Sequence, residues 1–364
     1  MRVCKLFCTD THNRKHESLA VMERHNKDCY YDDDDESTTK EEKTDRVLCE
    51  YHNWYHAIAC SHSVFMLLSV GEADRYLEKT EIFACLMGAL IHDLDHPGTN
   101  NDFETKRETS LAARYENDAV LERHSISETF VLCEDDPELD WLSSFRDEKT
   151  RNHIQRFLTE SVLATDPARH ASIVNKALAH SRQDCHFDIE SVEDRLFICG
   201  LVLHCADISN PSHPVFAVAA DWAIRVTTEF SRQAKKERAL GLDVAEFMEG
   251  LDSQYKIAKL QIGFFRFMVK PLFKTVAKLF PNLNEPFLVA FVQFLSERRW
   301  DFITHPLRHV RTEVHMPKGL NPCGQKLVVL GLATRHTVPA LQDAYDPSGA
   351  CLVCDLAANV RDAS

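Results

Sequence analysis

Ten consecutive residues, Ala89-Leu90-Ile91-His92-Asp93-Leu94-Asp95-His96-Pro97-Gly98, limit what this chain can become more than any other stretch. The segment from Ile82 to Ile91 is apolar on every side, the mark of a helix buried in a core rather than laid on a surface. It runs straight into two histidines and two aspartates. Imidazoles and carboxylates at the end of a buried helix are costly unless something compensates them, and a bound cation is the simplest compensation. Pro97-Gly98 then stops the helix and leaves those polar groups facing a cleft.

A second apolar run has the same ending. Asp194 to Asp207 reads as a helix carrying Leu196-Phe197-Ile198 and Leu201-Val202-Leu203, and it finishes in His204-Cys205-Ala206-Asp207 before Ser209-Asn210-Pro211 terminates it. Two buried helices that each end in His and Asp are hard to explain as packing. A third contribution comes from Tyr51-His52-Asn53-Trp54-Tyr55-His56-Ala57, expected to open a helix continuing through Val64 to Leu68. On that helix His52 and His56 would share one face, about 5–6 Å apart at Cβ.

The other segments frame these three. The spacing predicts a polar connection from Asn100 to Thr109 and helices over Ser110 to Tyr115, Ala119 to Phe130 and Lys149 to Leu163. It predicts one long helix over Leu251 to Leu272, with Gln261 and Phe264 a turn apart and Pro271 near its end. A last helix is expected over Val289 to Ile303. Residues 1–45, with their acidic run at Asp32 to Glu36, read as a disordered leader, and residues 309–364 as a loosely packed tail. Residues 46–308 between them form the expected domain.

Helical apolar spacing and few glycines (11 residues) make this an all-α protein, and 364 residues, 44% of them hydrophobic, are enough for a sizeable core. Forty-two basic residues against 56 acidic ones give a formal charge of −14, which argues against a nucleic-acid partner. A small anionic substrate is still compatible if metal ions create one locally positive spot. The 13 cysteines follow no framework spacing, and Cys85, Cys199 and Cys205 lie inside apolar runs, as small buried hydrophobes do in a reducing compartment. Cys351-x-x-Cys354 could be half a zinc site, but no second pair lies nearby. No secretory h-region and no apolar stretch long enough to span a bilayer is seen, so a cytoplasmic protein is expected.

His52, His56, His92, Asp93 and Asp207 therefore form the candidate constellation. Imidazoles suit zinc, carboxylates and water suit magnesium or manganese, and an aspartate able to bridge is what a two-metal site needs. Two ions about 3.5–4 Å apart can activate a hydroxide and clamp a phosphoryl group. Two divalent charges less those of Asp93 and Asp207 leave about +2 locally, the right sign for a phosphate ester.

The motifs Tyr51-His52-Asn53-x-x-His56-Ala57, His92-Asp93-x-Asp95-His96-x-Gly98, Leu121-Glu122, Ala164-Thr165-Asp166 and His204-Cys205-Ala206-Asp207-x-Ser209-Asn210 occur in this order. In order and spacing the chain resembles the class I cyclic nucleotide phosphodiesterases over roughly residues 47 to 305. It thereby also resembles the broader His-Asp metal-dependent phosphohydrolases. The resemblance implies a compact multi-helix catalytic domain that hydrolyses cAMP, cGMP or both to 5′-monophosphates. His56, His92, Asp93 and Asp207 look like ligands of a tight metal, usually Zn2+. Asp93 would bridge to a second ion, Mg2+ or Mn2+, held largely through waters that His96, Glu122 and Thr165 position.

The same resemblance makes His52 the general acid that protonates the departing 3′ oxygen, a task suited to imidazole. Gln261 would hydrogen-bond the purine edge, Phe264 and Val226 would clamp the base, and Tyr51 and Asn210 would line that pocket. It is also compatible with a homodimer. One departure is Gln233-Ala234-Lys235-Lys236-Glu237, in place of the family's usual Gly-Asp pair, expected in a loop remote from the metals. Two other classes share part of the pattern. A His-Asp phosphohydrolase acting on linear nucleotides would have no use for the Gln261 and Phe264 pair, and an inactive scaffold would bind ligand without releasing product.

Overall fold

Asn53 has an extended backbone and its side chain accepts a hydrogen bond from the Tyr55 amide, so helix α1 spans Trp54–Ser69. His52 therefore precedes the helix instead of sharing a face with His56: the asparagine between them satisfies the first-turn amide and sets the boundary. In the computed structural model residues 49–182, 187–213 and 216–283 are described, and among them every regular element is helical. The expected leader, the helix from Val289 to Ile303 and the tail with Cys351 and Cys354 lie outside the described residues.

Helix α2, Lys79–Ile91, begins in a capping box formed by Glu78 and Glu81. Phe83, Ala84, Cys85, Leu86, Met87, Gly88 and Ala89 are all buried, in agreement with the all-round apolar pattern. It packs against α1, against α6 (Glu148–Leu163) and against α8 (Val192–Asp207), and these four helices enclose the main core. A polar staple crosses that core. Glu81, fully buried, accepts from Arg195 Nε at 3.0 Å and lies 3.0 Å from His153 Nε2, so the charge is shared among three helices.

Helix α2 ends at Ile91, well before Pro97. The chain turns at once, and Asp95 adopts a left-handed conformation with φ 58°. A short helix α3, Asn101–Lys106, capped by the Asn100 side chain, occupies the middle of the expected polar connection. Helices α4 (Ser110–Arg114) and α5 (Val120–Asp135) follow, and α5 holds the turn: His124 Nε2 lies 2.8 Å from Asp95 Oδ2 and Ser125 donates to the Leu94 carbonyl.

On the far side, α7 (His170–His180) packs on α11 (Lys270–Leu279), and α9 (Phe216–Ala239) packs on α10 (Gln254–Phe264) through Ala220, Ala223, Ile257 and Ala258. The long helix expected over Leu251 to Leu272 is interrupted. A π-helical turn, Phe265–Val269, separates α10 from α11. Pro271 explains it, because its ring crowds the carbonyl one turn earlier and a widened turn relieves that contact. No described helix is long and apolar enough to cross a membrane. The described cysteines are all free, and Cys85, Cys199 and Cys205 are fully buried.

Candidate active site

Three helix ends meet at one edge of the core, the start of α1 and the last turns of α2 and α8. His56 comes from the first turn of α1, His92 and Asp93 from the turn after α2, and Asp207 from the last residue of α8. One ligand atom from each lies within 4.8 Å of the others. His56 Nε2 is 3.0 Å from Asp207 Oδ1 and 3.3 Å from Asp93 Oδ2, while His92 Nε2 is 3.0 Å from Asp93 Oδ2 and 3.3 Å from Asp207 Oδ1. The two imidazole Nε2 atoms themselves stand 3.2 Å apart.

This arrangement fits a metal ion. Asp93 Oδ2 is buried without a hydrogen bond among the described residues, although two ring nitrogens face it. His92 donates from Nδ1 to the Ala89 carbonyl at 2.9 Å, which leaves Nε2 as the lone-pair atom aimed at the cluster. Without a cation the charges must balance through protons. Burial pulls the His92 pKa down, but Asp93 and Asp207 outweigh it and hold the ring well above its ordinary value. Burial likewise opposes ionisation of Asp93, and the His92 and His52 rings overcome it, holding the carboxyl well below the usual range.

His52 stands beside the cluster, its ring centroid 6.0 Å from that of His56. Its Nδ1 donates to Glu229 Oε2 at 2.6 Å, and the amides of Tyr51 and His52 donate to the other oxygen, Oε1, at 2.6 and 3.1 Å. Burial lowers the His52 pKa; Glu229, then Asp93, raise it, and the net effect is a ring held well above its ordinary value. His96 stacks on His52 at 3.9 Å between centroids. Burial and the neighbouring His52 charge push His96 down to about 3, so it is neutral, and its Nδ1 accepts from the Gly98 amide.

The other predicted residues distribute as follows. Glu122 is buried, accepts from Asn101 Nδ2 at 2.9 Å, and is pushed up to about 7 by burial, with Asp166 and Asp93 adding to the rise. Thr165 is buried too, but its hydroxyl donates to the Val162 carbonyl at 2.8 Å. Asn210 is buried and joins two predicted residues: its Nδ2 donates to Tyr51 Oη at 3.1 Å and lies 2.9 Å from His56 Nδ1. Val226, Gln261 and Phe264 are all half-buried, Val226 on α9 and the other two on α10. Phe264 and Ile208, the residue after Asp207, both pack against Phe265 and Val269, so the π-turn ties the expected base clamp to the metal-ligand helix.

Glu229 escaped the sequence reading, although an acid one turn beyond Val226 on a helix with an apolar face is a visible signal. Trp222, whose ring lies 5.5 Å from Tyr51 and 6.0 Å from His56, was missed as well. Gln233 to Glu237 is a correction: this stretch lies inside α9, not in a loop, because its apolar and buried polar residues continue the helix period. Gln233 bonds both the amide and the side chain of Asn100 at 3.0 Å and lines the same cleft as Cys49 and Glu229.

The family model described as 3′5′-cyclic nucleotide phosphodiesterase matches residues 51–289 of this chain. The chain is 32% identical over 228 residues to the 3′,5′-cyclic-nucleotide phosphodiesterase regA of Dictyostelium discoideum, covering 63% of this chain and 28% of that protein. It is 32% identical over 235 residues to the high affinity cGMP-specific 3′,5′-cyclic phosphodiesterase 9A of Homo sapiens, covering 65% and 38%. The chain thus spans only 28% and 38% of the length of these two relatives. Among solved structures it resembles the phosphodiesterase domain of the RhoPDE fusion protein from the choanoflagellate Salpingoeca rosetta, with a TM-score of 0.66 and 28% identity over 79% of this chain and 88% of that one.

Proposed function

Because the chain belongs to the 3′5′-cyclic nucleotide phosphodiesterase family, we propose that it opens 3′,5′-cyclic nucleotides to nucleoside 5′-monophosphates in the cytoplasm. Residues 46–308 are the catalytic domain of this reading. The observation that carries it is the convergence of His56, His92, Asp93 and Asp207 beside a carboxylate-bound imidazole. These four residues would hold a tight ion, zinc by its donor set, and Asp93 would also reach a second, magnesium or manganese. When bound, such a pair supplies an activated hydroxide and neutralises the phosphate.

The chain's own groups do the rest. Glu229 holds His52 by Nδ1 and keeps it protonated, so that its other nitrogen can deliver a proton to the 3′ oxygen as the ring opens. Nδ1 donating to a carboxylate also fixes the ring plane, which limits the proton to one direction. Glu122, His96 and Thr165 form the surrounding shell; a Glu122 that titrates near neutrality can accept from ordered water, and a neutral His96, its Nδ1 taken by the Gly98 amide, can donate to one from Nε2. Gln261 is the candidate for the purine edge, with Phe264 and Val226 as the apolar clamp and Tyr51 and Asn210 on the ribose-phosphate side.

The test is turnover of cAMP and cGMP by the purified protein in Mg2+, with Asp93→Ala as control. Formation of the 5′-monophosphate by the parent protein, lost in the variant, is the expected result. Equal rates for the two proteins would overturn the reading.

A further inference from the structure

A second convergence lies against the first. Cys49, His52, His96 and Glu229 bring a sulfur, two imidazole nitrogens and a carboxylate oxygen within 4.8 Å of one another. We propose that these four residues form a regulatory site for a thiophilic divalent cation such as zinc, and that filling it switches hydrolysis off by binding His52 in place of the proton that makes it an acid. The switching half rests on the proposed role of His52; the binding half stands on the ligand set alone.

The donor set has a preference. One thiolate, two imidazoles and a carboxylate suit zinc and exclude magnesium, which takes oxygen ligands. It also differs from the set at His56, His92, Asp93 and Asp207, which holds no sulfur. Tetrahedral zinc at its usual bond lengths puts ligand atoms about 3.3–3.7 Å apart. Closing the present spread of up to 4.8 Å takes about 1 Å of side-chain motion by residues that are only half-buried, Cys49, His52 and His96.

Glu229 is the fixed member. It is buried, and the Tyr51 and His52 amides hold its Oε1. His96 accepts from the Gly98 amide through Nδ1, so its proton sits on Nε2, and ligation through Nε2 requires the other tautomer.

Two protons occupy the centre now. The Cys49 thiol donates to Glu229 Oε1 at 2.9 Å and His52 Nδ1 donates to Oε2 at 2.6 Å. An entering ion bonds the sulfur, the carboxylate oxygen and the two ring nitrogens; the thiol proton and the His52 Nδ1 proton leave for solvent, and the His96 proton moves from Nε2 to Nδ1 as the Gly98 amide gives up its bond. No oxidation state changes. Without an ion the thiol is inert, because burial pushes it up to about 11; a cation removes its proton outright. His52 bound in this way keeps only its Nε2 proton on a neutral, metal-bound ring, a far weaker acid than the imidazolium that would deliver it.

A cleft lined by Cys49, Pro97, Gly98, Glu229 and Arg232 opens beside the cluster. Arg232 and Lys236 both line it, and Glu50, 3.0 Å from Arg232, offsets the first of these charges.

Cobalt(II) and zinc test the two halves on the full chain carrying the metals it purifies with, in saturating Mg2+. Cobalt titration should raise a near-ultraviolet thiolate-to-metal absorption band that Cys49→Ser and Cys49→Ala both lack. Cobalt exchanging into the His-Asp cluster cannot give that band, since no sulfur is there. Added zinc should inhibit turnover, and Cys49→Ser should raise the half-inhibiting concentration at least about tenfold while leaving turnover without added zinc unchanged. The absence of a Cys49-dependent band overturns the site. A band with identical zinc sensitivity in parent and variant overturns the switch. Failure of the parent to turn over any cyclic nucleotide defeats the proposed function instead, and the cobalt titration still decides the site.

Discussion

His52 is pulled two ways: burial disfavours its charge, and Glu229 at 2.6 Å restores it with a margin. A general acid must carry its proton, so activity falls as pH rises through the pKa of this ring. Replacing Glu229 by Gln removes the group that raises that pKa and leaves the burial that lowers it. The alkaline limb of the kcat/KM profile of Glu229→Gln should therefore move to lower pH, and an unmoved limb would show that another group sets it. His52→Ala should lower kcat by about 10²- to 10⁴-fold, the usual worth of general acid catalysis. It should retain tightly bound zinc by elemental analysis, because His52 is not among the four ligands that converge. The two halves of this pair differed in legibility. His52 stood out by its place in Tyr51-His52-Asn53, whereas Glu229 lies 177 residues away and only the folded chain brings it within reach.

At the level of elements, periodicity located most of the helices but not the places where backbone hydrogen bonding competes with it. Asn53 moved His52 off α1 by capping it, and Pro271 broke a continuous apolar pattern with a π-turn. Neither depends on the apolar spacing on which helix prediction rests. Close approach of helices is equally invisible in one dimension. A Cβ on Gly200 of α8 would lie 2.9 Å from the Ala164 Cβ at the end of α6, whereas a Cβ on Gly88 of α2 would meet Leu203 at 3.4 Å, an ordinary contact. Alanine gains about 1 kcal/mol over glycine inside a helix, and overpacking costs about 1–3 kcal/mol. Gly200→Ala should then be destabilised on balance, by about 1 kcal/mol, and should disturb Thr165 and Asp166 next to the contact. Gly88→Ala should be neutral or slightly stabilised. Urea denaturation of the two variants decides it, and the opposite order would mean that α6 and α8 can slide apart at little cost.

Across the whole molecule, the candidate centre is held by the ends of α1, α2 and α8, which the core packs together. The convergence was legible because two buried helices each end in His and Asp, an expense that packing does not explain. A cation and a proton are alternative ways of meeting that expense. In the chelated protein His92 is held well above its ordinary pKa by Asp93 and Asp207 once burial is overcome. A raised histidine contributes stability that is fully present below its unfolded pKa, about 6.5, and is lost as pH rises through the folded value. Zinc in place of that proton removes the loss, because ligand nitrogens bind metal in their neutral form. Free zinc at about 1,000 times its dissociation constant should add about 4 kcal/mol to unfolding, and the difference in Tm between zinc-loaded and EDTA-treated protein should widen as pH is raised above about 6.5. Asp93→Ala should show neither the gain nor the widening. A Tm difference that is constant with pH would mean that the imidazoles do not exchange protons for the ion, and the ligand assignment of His56 and His92 would have to be abandoned.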